Sequence, residues 1–184
     1  MPHTLAELNS ADCTAFTAAL GHVFEHSRWV AEETWARRPF RDVAHLQAEL
    51  CATVRTASHD RQMALIRAHP DLAGRLAQKN QLTAASTREQ ASAGLNQLAP
   101  EELARFQKLN GQYRARFGFP FIICTRLNDR VAILQAMQAR VQNTPASEVA
   151  TALREIEKIA ELRVKDLMSP PAAAAPQGKP AAPA

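Results

Sequence analysis

Ser147 to Leu167 read SEVATALREIEKIAELRVKDL, and this stretch decides the fold. At about 100° per residue, Leu153, Ile156, Ile159, Ala160, Val164 and Leu167 fall on one apolar arc. Arg154, Glu155, Lys158, Glu161, Lys165 and Asp166 fall outside it, the pattern of a long helix with one buried face. Arg163 breaks the pattern, because its angle lies between those of Ile156 and Ile159. An unpaired guanidinium in an apolar face is costly, so Arg163 needs either a carboxylate partner within the protein or an anionic ligand. Its planar fork of donors suits a carboxylate in both cases.

The same period extends through the rest of the chain. Asn9 or Ser10 is placed to cap a helix through Leu20 and Val23, and a second runs from Trp29 to Trp35, ahead of Pro39. Val43, Leu46, Leu50 and Val54 recur at three- and four-residue steps. Met63, Leu65 and Ile66 belong to a helix that ends before Pro70, and Leu103, Phe106, Leu109 and Tyr113 to one opening near Pro100. Val131 to Val141 is the last segment before the long helix. One stretch differs: Phe117 to Arg126, FGFPFIICTR, combines β-formers with Gly118 and Pro120, and fits a short strand or an extended loop entering the core. The expected fold is all-α, a single-domain, bundle-like arrangement with one irregular apolar segment.

Composition agrees. The chain has 184 residues, 46% hydrophobic and 22% charged, a soluble globular balance. Residues 169–184, SPPAAAAPQGKPAAPA, hold 5 of the 11 prolines and read as a disordered tail, leaving 1–168 as the domain. The net charge of +4 comes from interleaved signs without a basic block, so a small anion is expected as partner rather than nucleic acid. Cys13, Cys51 and Cys124 are widely spaced, which suggests neither disulfides nor a structural zinc site. The N-terminal MPHTLAELNSAD lacks the basic and apolar blocks of a secretory signal, and no apolar run is long enough to span a bilayer. The expected setting is cytoplasmic, away from membranes.

Three motifs bear on chemistry. His22-Val23-Phe24-Glu25-His26 matches the H-x-x-E-H pattern of inverted zinc peptidases, in which a helix presents both imidazoles to a metal. A zinc hydrolase is one alternative on that basis, although no third ligand is evident; a plain histidine pair is the other reading. His69, in RAHPDL, sits at a helix break before a proline, pinned in the backbone yet able to enter a cleft, and histidine suits proton transfer near neutral pH. A histidine in a turn, with Asp71 starting the next helix, is the other reading and the one that spacing alone favours. Ser86-Thr87-Arg88-Glu89 is a capping box, so a helix is expected to start there, with free N–H groups that also suit a ligand.

Taken in order, FEHSRWVAE (Phe24–Glu32), RPF (Arg38–Phe40), LIRAHPDLAG (Leu65–Gly74), STREQASAGL (Ser86–Leu95), LNGQYRARFGFPFIIC (Leu109–Cys124) and EIEKIAELRVKDL (Glu155–Leu167) resemble the OHCU decarboxylases. These enzymes act on 2-oxo-4-hydroxy-4-carboxy-5-ureidoimidazoline (OHCU) in urate degradation. The resemblance runs to Met168, with Arg28 standing where relatives commonly have proline. It implies an all-α homodimer without metal or organic cofactor, converting OHCU to (S)-allantoin. It assigns His69 as acid/base, Glu89 to the substrate's polar edge and Arg163 to its anion. It also implies substrate contacts from Pro70, from Ser86, Thr87, Arg88 and Gln90, and from Phe119, Phe121, Ile122, Ile123, Cys124 and Thr125. The remaining alternative is a non-catalytic helical adaptor, which has no use for Arg163 inside an apolar arc.

Overall fold

The computed structural model describes residues 2–74 and 82–168; the tail reading concerns residues outside these. Among the described residues there are nine α-helices and no strand. We number them α1 (Leu5–Ser10), α2 (Cys13–Leu20), α3 (Trp29–Trp35), α4 (Val43–Thr56), α5 (His59–Ala68), α6 (Ala84–Ser92), α7 (Pro100–Phe117), α8 (Arg130–Arg140) and α9 (Pro145–Leu167). The all-α expectation holds.

α9 organises the molecule as expected. Thr144 caps it by accepting from the Ser147 N–H, and Pro145 occupies the first turn, where its missing N–H costs nothing. Ile156, Ile159, Ala160 and Val164 are buried, and the helix packs on α4 and α5. Two acids depart from the simple arc. Glu148 is fully buried, and Glu155 faces inward to accept the Cys124 N–H at 2.8 Å. That backbone donor has no strand partner, so a carboxylate replaces one.

Other local expectations need correction. Asn9 and Ser10 cap nothing: they close α1, which Thr4 caps, and Asp12 opens a separate α2 that stops at Leu20. Residues 22–26 are therefore turns rather than helix, and the i, i+4 geometry that would point both histidines at one metal is lost. α6 begins three residues earlier than the Ser86 capping box implies. Thr83 is the cap, accepting from the Ser86 N–H, so Ser86 and Glu89 lie within the helix with their side chains free for other partners.

Between Phe117, the last residue of α7, and Thr125, the middle of FGFPFIICTR is an extended loop. Gly118 ends α7 at φ 74°, a left-handed conformation that glycine adopts without steric cost. Phe119, Phe121 and Ile122 then enter the core, the Phe119 and Phe121 rings meeting Tyr113 edge-on at 5.8 and 5.2 Å. The Arg140 guanidinium lies over the Phe121 ring and donates to the Ile122 carbonyl at 2.8 Å. A 3-10 turn, Thr125–Leu127, follows and abuts α6.

Candidate active site

His69 is the C-cap of α5, with extended backbone ahead of Pro70, as the His-Pro pair requires. It is buried, and its Nδ1 lies 2.9 Å from the Leu65 carbonyl. A carbonyl only accepts, so Nδ1 carries the proton and the neutral ring keeps a lone pair on Nε2. Burial lowers the imidazole below its usual 6.5; the Leu65 hydrogen bond and the charges of Glu25 and Glu89 oppose that, and Arg163 adds to it. The ring is neutral at pH 7.

Arg163 projects from α9 into a cluster of acids. Its Nε and Nη2 donate to the two oxygens of Glu89, both at 2.7 Å, a side-on bidentate pair. Nη1 donates to the Glu25 carboxylate at 3.1 Å and to the Val23 carbonyl at 3.2 Å. Nη2 also reaches Ser86 Oγ at 3.4 Å. All five N–H groups thus have protein acceptors. The open choice between an internal ion pair and an anionic ligand is answered first by the ion pair, with two carboxylates around one guanidinium. Burial works against the Arg163 charge, but Glu89 and Glu25 more than compensate and raise its proton affinity. Glu25 behaves similarly: burial pushes its carboxyl up, and Arg163 and Thr83 outweigh this and hold it below the usual carboxylate range.

His69, Pro70, Ser86, Glu89, Gln90, Phe121, Ile122, Ile123, Thr125 and Arg163 line one small cavity of about 30 Å³, with Leu72 and Ile159. A second cavity of about 300 Å³ shares Glu89 and Arg163 and is bordered by His22, Arg88, Arg126 and Asp166. Four of the expected contact residues stand apart from the small cavity. Thr87 is exposed and bonds back to the Thr83 carbonyl; Arg88 faces the second cavity. Phe119 packs behind the wall against Tyr113, and Cys124 is buried with its N–H on Glu155. Thr125 donates to the Glu89 carbonyl at 3.0 Å, tying the loop to α6.

Sequence reading missed Glu25 as a member of the cluster, having taken it only as part of the His22–His26 zinc pattern and of the FEHSRWVAE stretch. Arg163 called for an acidic partner or an anionic ligand, but nothing local in the sequence marks Glu25 as that partner. With Glu25 bound to Arg163, His26 lies at the surface, 70% of its side chain exposed. Among the described residues no group of three or more metal-type ligands forms.

An all-helical scaffold brings a buried histidine, a carboxylate and a shared arginine to one cavity, the groups that acid–base chemistry on a small polar substrate would require. Residues 9–165 match the OHCU decarboxylase family, and the chain belongs to it. It is 42% identical over 167 residues to the 2-oxo-4-hydroxy-4-carboxy-5-ureidoimidazoline decarboxylase of Halalkalicoccus jeotgali, covering 91% of this chain and 93% of that one. It is 40% identical over 164 residues to the Mus musculus enzyme of the same name, covering 89% and 92%. A crystal structure of an (S)-allantoin synthase superposes with a TM-score of 0.71 at 32% identity; it covers 90% of this chain, which spans 54% of that longer one.

Proposed function

We propose that His69, Glu89 and Arg163 carry out the decarboxylation of OHCU to (S)-allantoin in this chain. The chain is a carboxy-lyase of urate degradation, as its membership in the family and its near-full-length relatives establish. The observation that carries the residue assignment is the neutral, buried His69, its tautomer set by Leu65, in one cavity with Glu89.

The chemistry needs few groups. The substrate carboxylate sits on a hydroxyl-bearing carbon beside a C=N bond. When the C–C bond to the carboxylate breaks, its electron pair forms a C=C bond, and the C=N pair moves to nitrogen, which takes up a proton from water. The resulting enol passes its O–H proton to the neighbouring carbon. Nε2 of His69 removes the hydroxyl proton and returns it to one face of that carbon, so the ring is neutral before and after. The Glu89 carboxylate accepts from the substrate's N–H edge. Arg163 acts through Glu89: with its five donors engaged, it fixes that carboxylate rather than serving as a free anion hook. The Ser86 and Gln90 side chains, Pro70, Thr125 and the wall of Phe121, Ile122 and Ile123, which line the same cavity, complete the contacts. A low-polarity wall favours the dispersed charge of the transition state over the localised carboxylate.

The finer setting is part of the same proposal. The three unpaired thiols support a cytoplasmic, reducing location, and the family resemblance supports a homodimer. Among the described residues no helix is long and apolar enough to cross a membrane.

The test generates OHCU in situ from urate with urate oxidase and hydroxyisourate hydrolase and follows the (S)-allantoin signal by circular dichroism. The wild-type chain accelerates it. His69→Ala loses about 10²–10⁴-fold in rate, the range for one general acid–base group, with helicity retained. A His69→Ala variant near wild-type rate removes the assignment.

A further inference from the structure

Glu25 is the one acid in the connection between α2 and α3, and it faces inward, 3% exposed. It does not border the small cavity, and the reaction as described does not use it. Yet its carboxylate accepts three hydrogen bonds: from Arg163 Nη1 at 3.1 Å, from Ser86 Oγ at 3.2 Å and from Thr83 Oγ1 at 2.9 Å. Thr83 and Ser86 are the cap and third residue of α6, the helix that carries Glu89. Glu25 therefore grips both the arginine that holds Glu89 and the start of the helix that delivers it.

We propose that Glu25 is a positioning residue for the decarboxylation, pinning Arg163 and the first turn of α6 so that Glu89 meets the substrate in one orientation. This rests on the reading of the site given above. The guanidinium is planar, and Glu89 occupies its Nε–Nη2 edge, so the plane can still tilt about the Glu89 pair unless Nη1 is anchored. Glu25 and the Val23 carbonyl are that anchor. Glu25 also competes for the cation. With two carboxylates on one guanidinium, Glu89 is incompletely neutralised and retains acceptor strength for the substrate's N–H groups. Without the Glu25 charge, Arg163 belongs to Glu89 alone.

A purely structural Glu25 and a positioning Glu25 differ in their reach to His69. The charged groups facing that imidazole are Glu25 from the α2–α3 connection, Glu89 from α6 and Arg163 from α9, with the Leu65 carbonyl of its own helix. Glu25 supports the proton affinity of His69, so removing its charge lowers that affinity further. Activity that needs neutral His69 falls as pH drops through its pKa, and the acid limb of the kcat/KM profile reports it.

The experiment measures kcat, KM, pH profile and melting for Glu25→Gln and Glu25→Asp, with His69→Ala as reference. Glu25→Gln is expected to lower kcat about 10- to 100-fold, the scale of a displacement near 1 Å, with KM within about threefold of wild type. Its acid limb moves to lower pH. Glu25→Asp keeps the charge but falls short of Arg163, so kcat drops while the limb stays in place. Wild-type kcat and limb in Glu25→Gln overturn the proposal, as does a lowered melting temperature with turnover per folded molecule and limb unchanged. Should Glu25→Gln fail to fold, Glu25→Asp carries the test, and a wild-type kcat there overturns it. An active His69→Ala defeats the underlying site reading, whereas an inactive His69→Ala beside a wild-type-like Glu25→Gln defeats this inference alone.

Discussion

Two buried clusters of guanidinium and carboxylate are built on α9, one near each end, and they differ in balance. Near the N-terminus Glu148, with no exposed surface, accepts from Arg140 Nε at 2.8 Å, Asn143 Nδ2 at 2.7 Å and the Tyr113 hydroxyl. Burial and Glu148 together push the Tyr113 phenol up, so it stays a donor. Here one acid meets one base, and the remaining Arg140 donor goes to the Ile122 carbonyl. Near the C-terminus two acids meet the single Arg163, and one of them, Glu89, borders a cavity with His69. A balanced cluster closed on itself holds the Phe121 loop in place. A cluster with an excess of carboxylate facing a cavity retains capacity to accept hydrogen bonds from a ligand.

Two matched substitutions break that comparison most sharply. Glu148→Gln leaves Arg140 as a buried, poorly paired cation and is expected to cost about 3–5 kcal/mol of stability, a large share of a typical 5–15 kcal/mol. Glu89→Gln leaves the site cluster with one acid and one base, so stability stays within about 1 kcal/mol of wild type while activity falls more than about 100-fold. Urea unfolding and the in-situ allantoin assay separate the two effects. Equal losses of stability in both variants would mean that the two clusters do the same job.

The pH dependence of stability sharpens the contrast with a smaller effect. His69 has a native pKa below 6.5, so under that pH the unfolded chain binds more protons than the native one. Stability is then fully present above 6.5 and is lost as pH falls toward the native value, by at most about 1.4 kcal/mol per pH unit for one proton. Glu25, also lowered, adds a second loss below its unfolded value of 4.5, as pH falls through its native pKa. His69→Asn removes the first window and leaves the second. Urea midpoints from pH 7 down to about pH 2 measure both, and an unchanged slope between pH 6.5 and 5 in His69→Asn rejects the first.

The scaffold was more legible in the sequence than the site, for a physical reason. Helix periodicity depends on which residues are buried, and α3, α7 and α9 emerge near their expected bounds because their apolar positions repeat. Arg163 was legible as an anomaly in such a repeat, though its two partners were not. Glu89 reads as the end of a capping box because Ser-x-x-Glu spacing is local, whereas the competing cap from Thr83 and the pull of Arg163 are settled by packing between α6 and α9. Glu25 lies 138 residues from Arg163, and no local pattern encodes a contact of that range. Glu155 reads as solvent-facing for the same reason, since its partner is a loop backbone that periodicity does not describe. His69 is legible because the following proline constrains it locally, but its tautomer needs the Leu65 carbonyl in place.

The smallest expected effect concerns a third pair on α9. Arg126, from the turn after the Phe121 loop, meets Asp166 in a bidentate contact at 2.6 and 3.2 Å, with side chains 31% and 59% exposed. Both border the second cavity beside Glu89 and Arg163, so proximity alone would enrol them in the site. Exposure argues otherwise: water screens the pair, and such contacts contribute about 0–1 kcal/mol. Asp166→Asn is therefore expected to cost no more than about 1 kcal/mol, with kcat and KM within about twofold of wild type. A tenfold loss of kcat at normal stability would extend the functional cluster past Arg163, and the distinction drawn from charge balance and burial would have to yield to one drawn from the cavities.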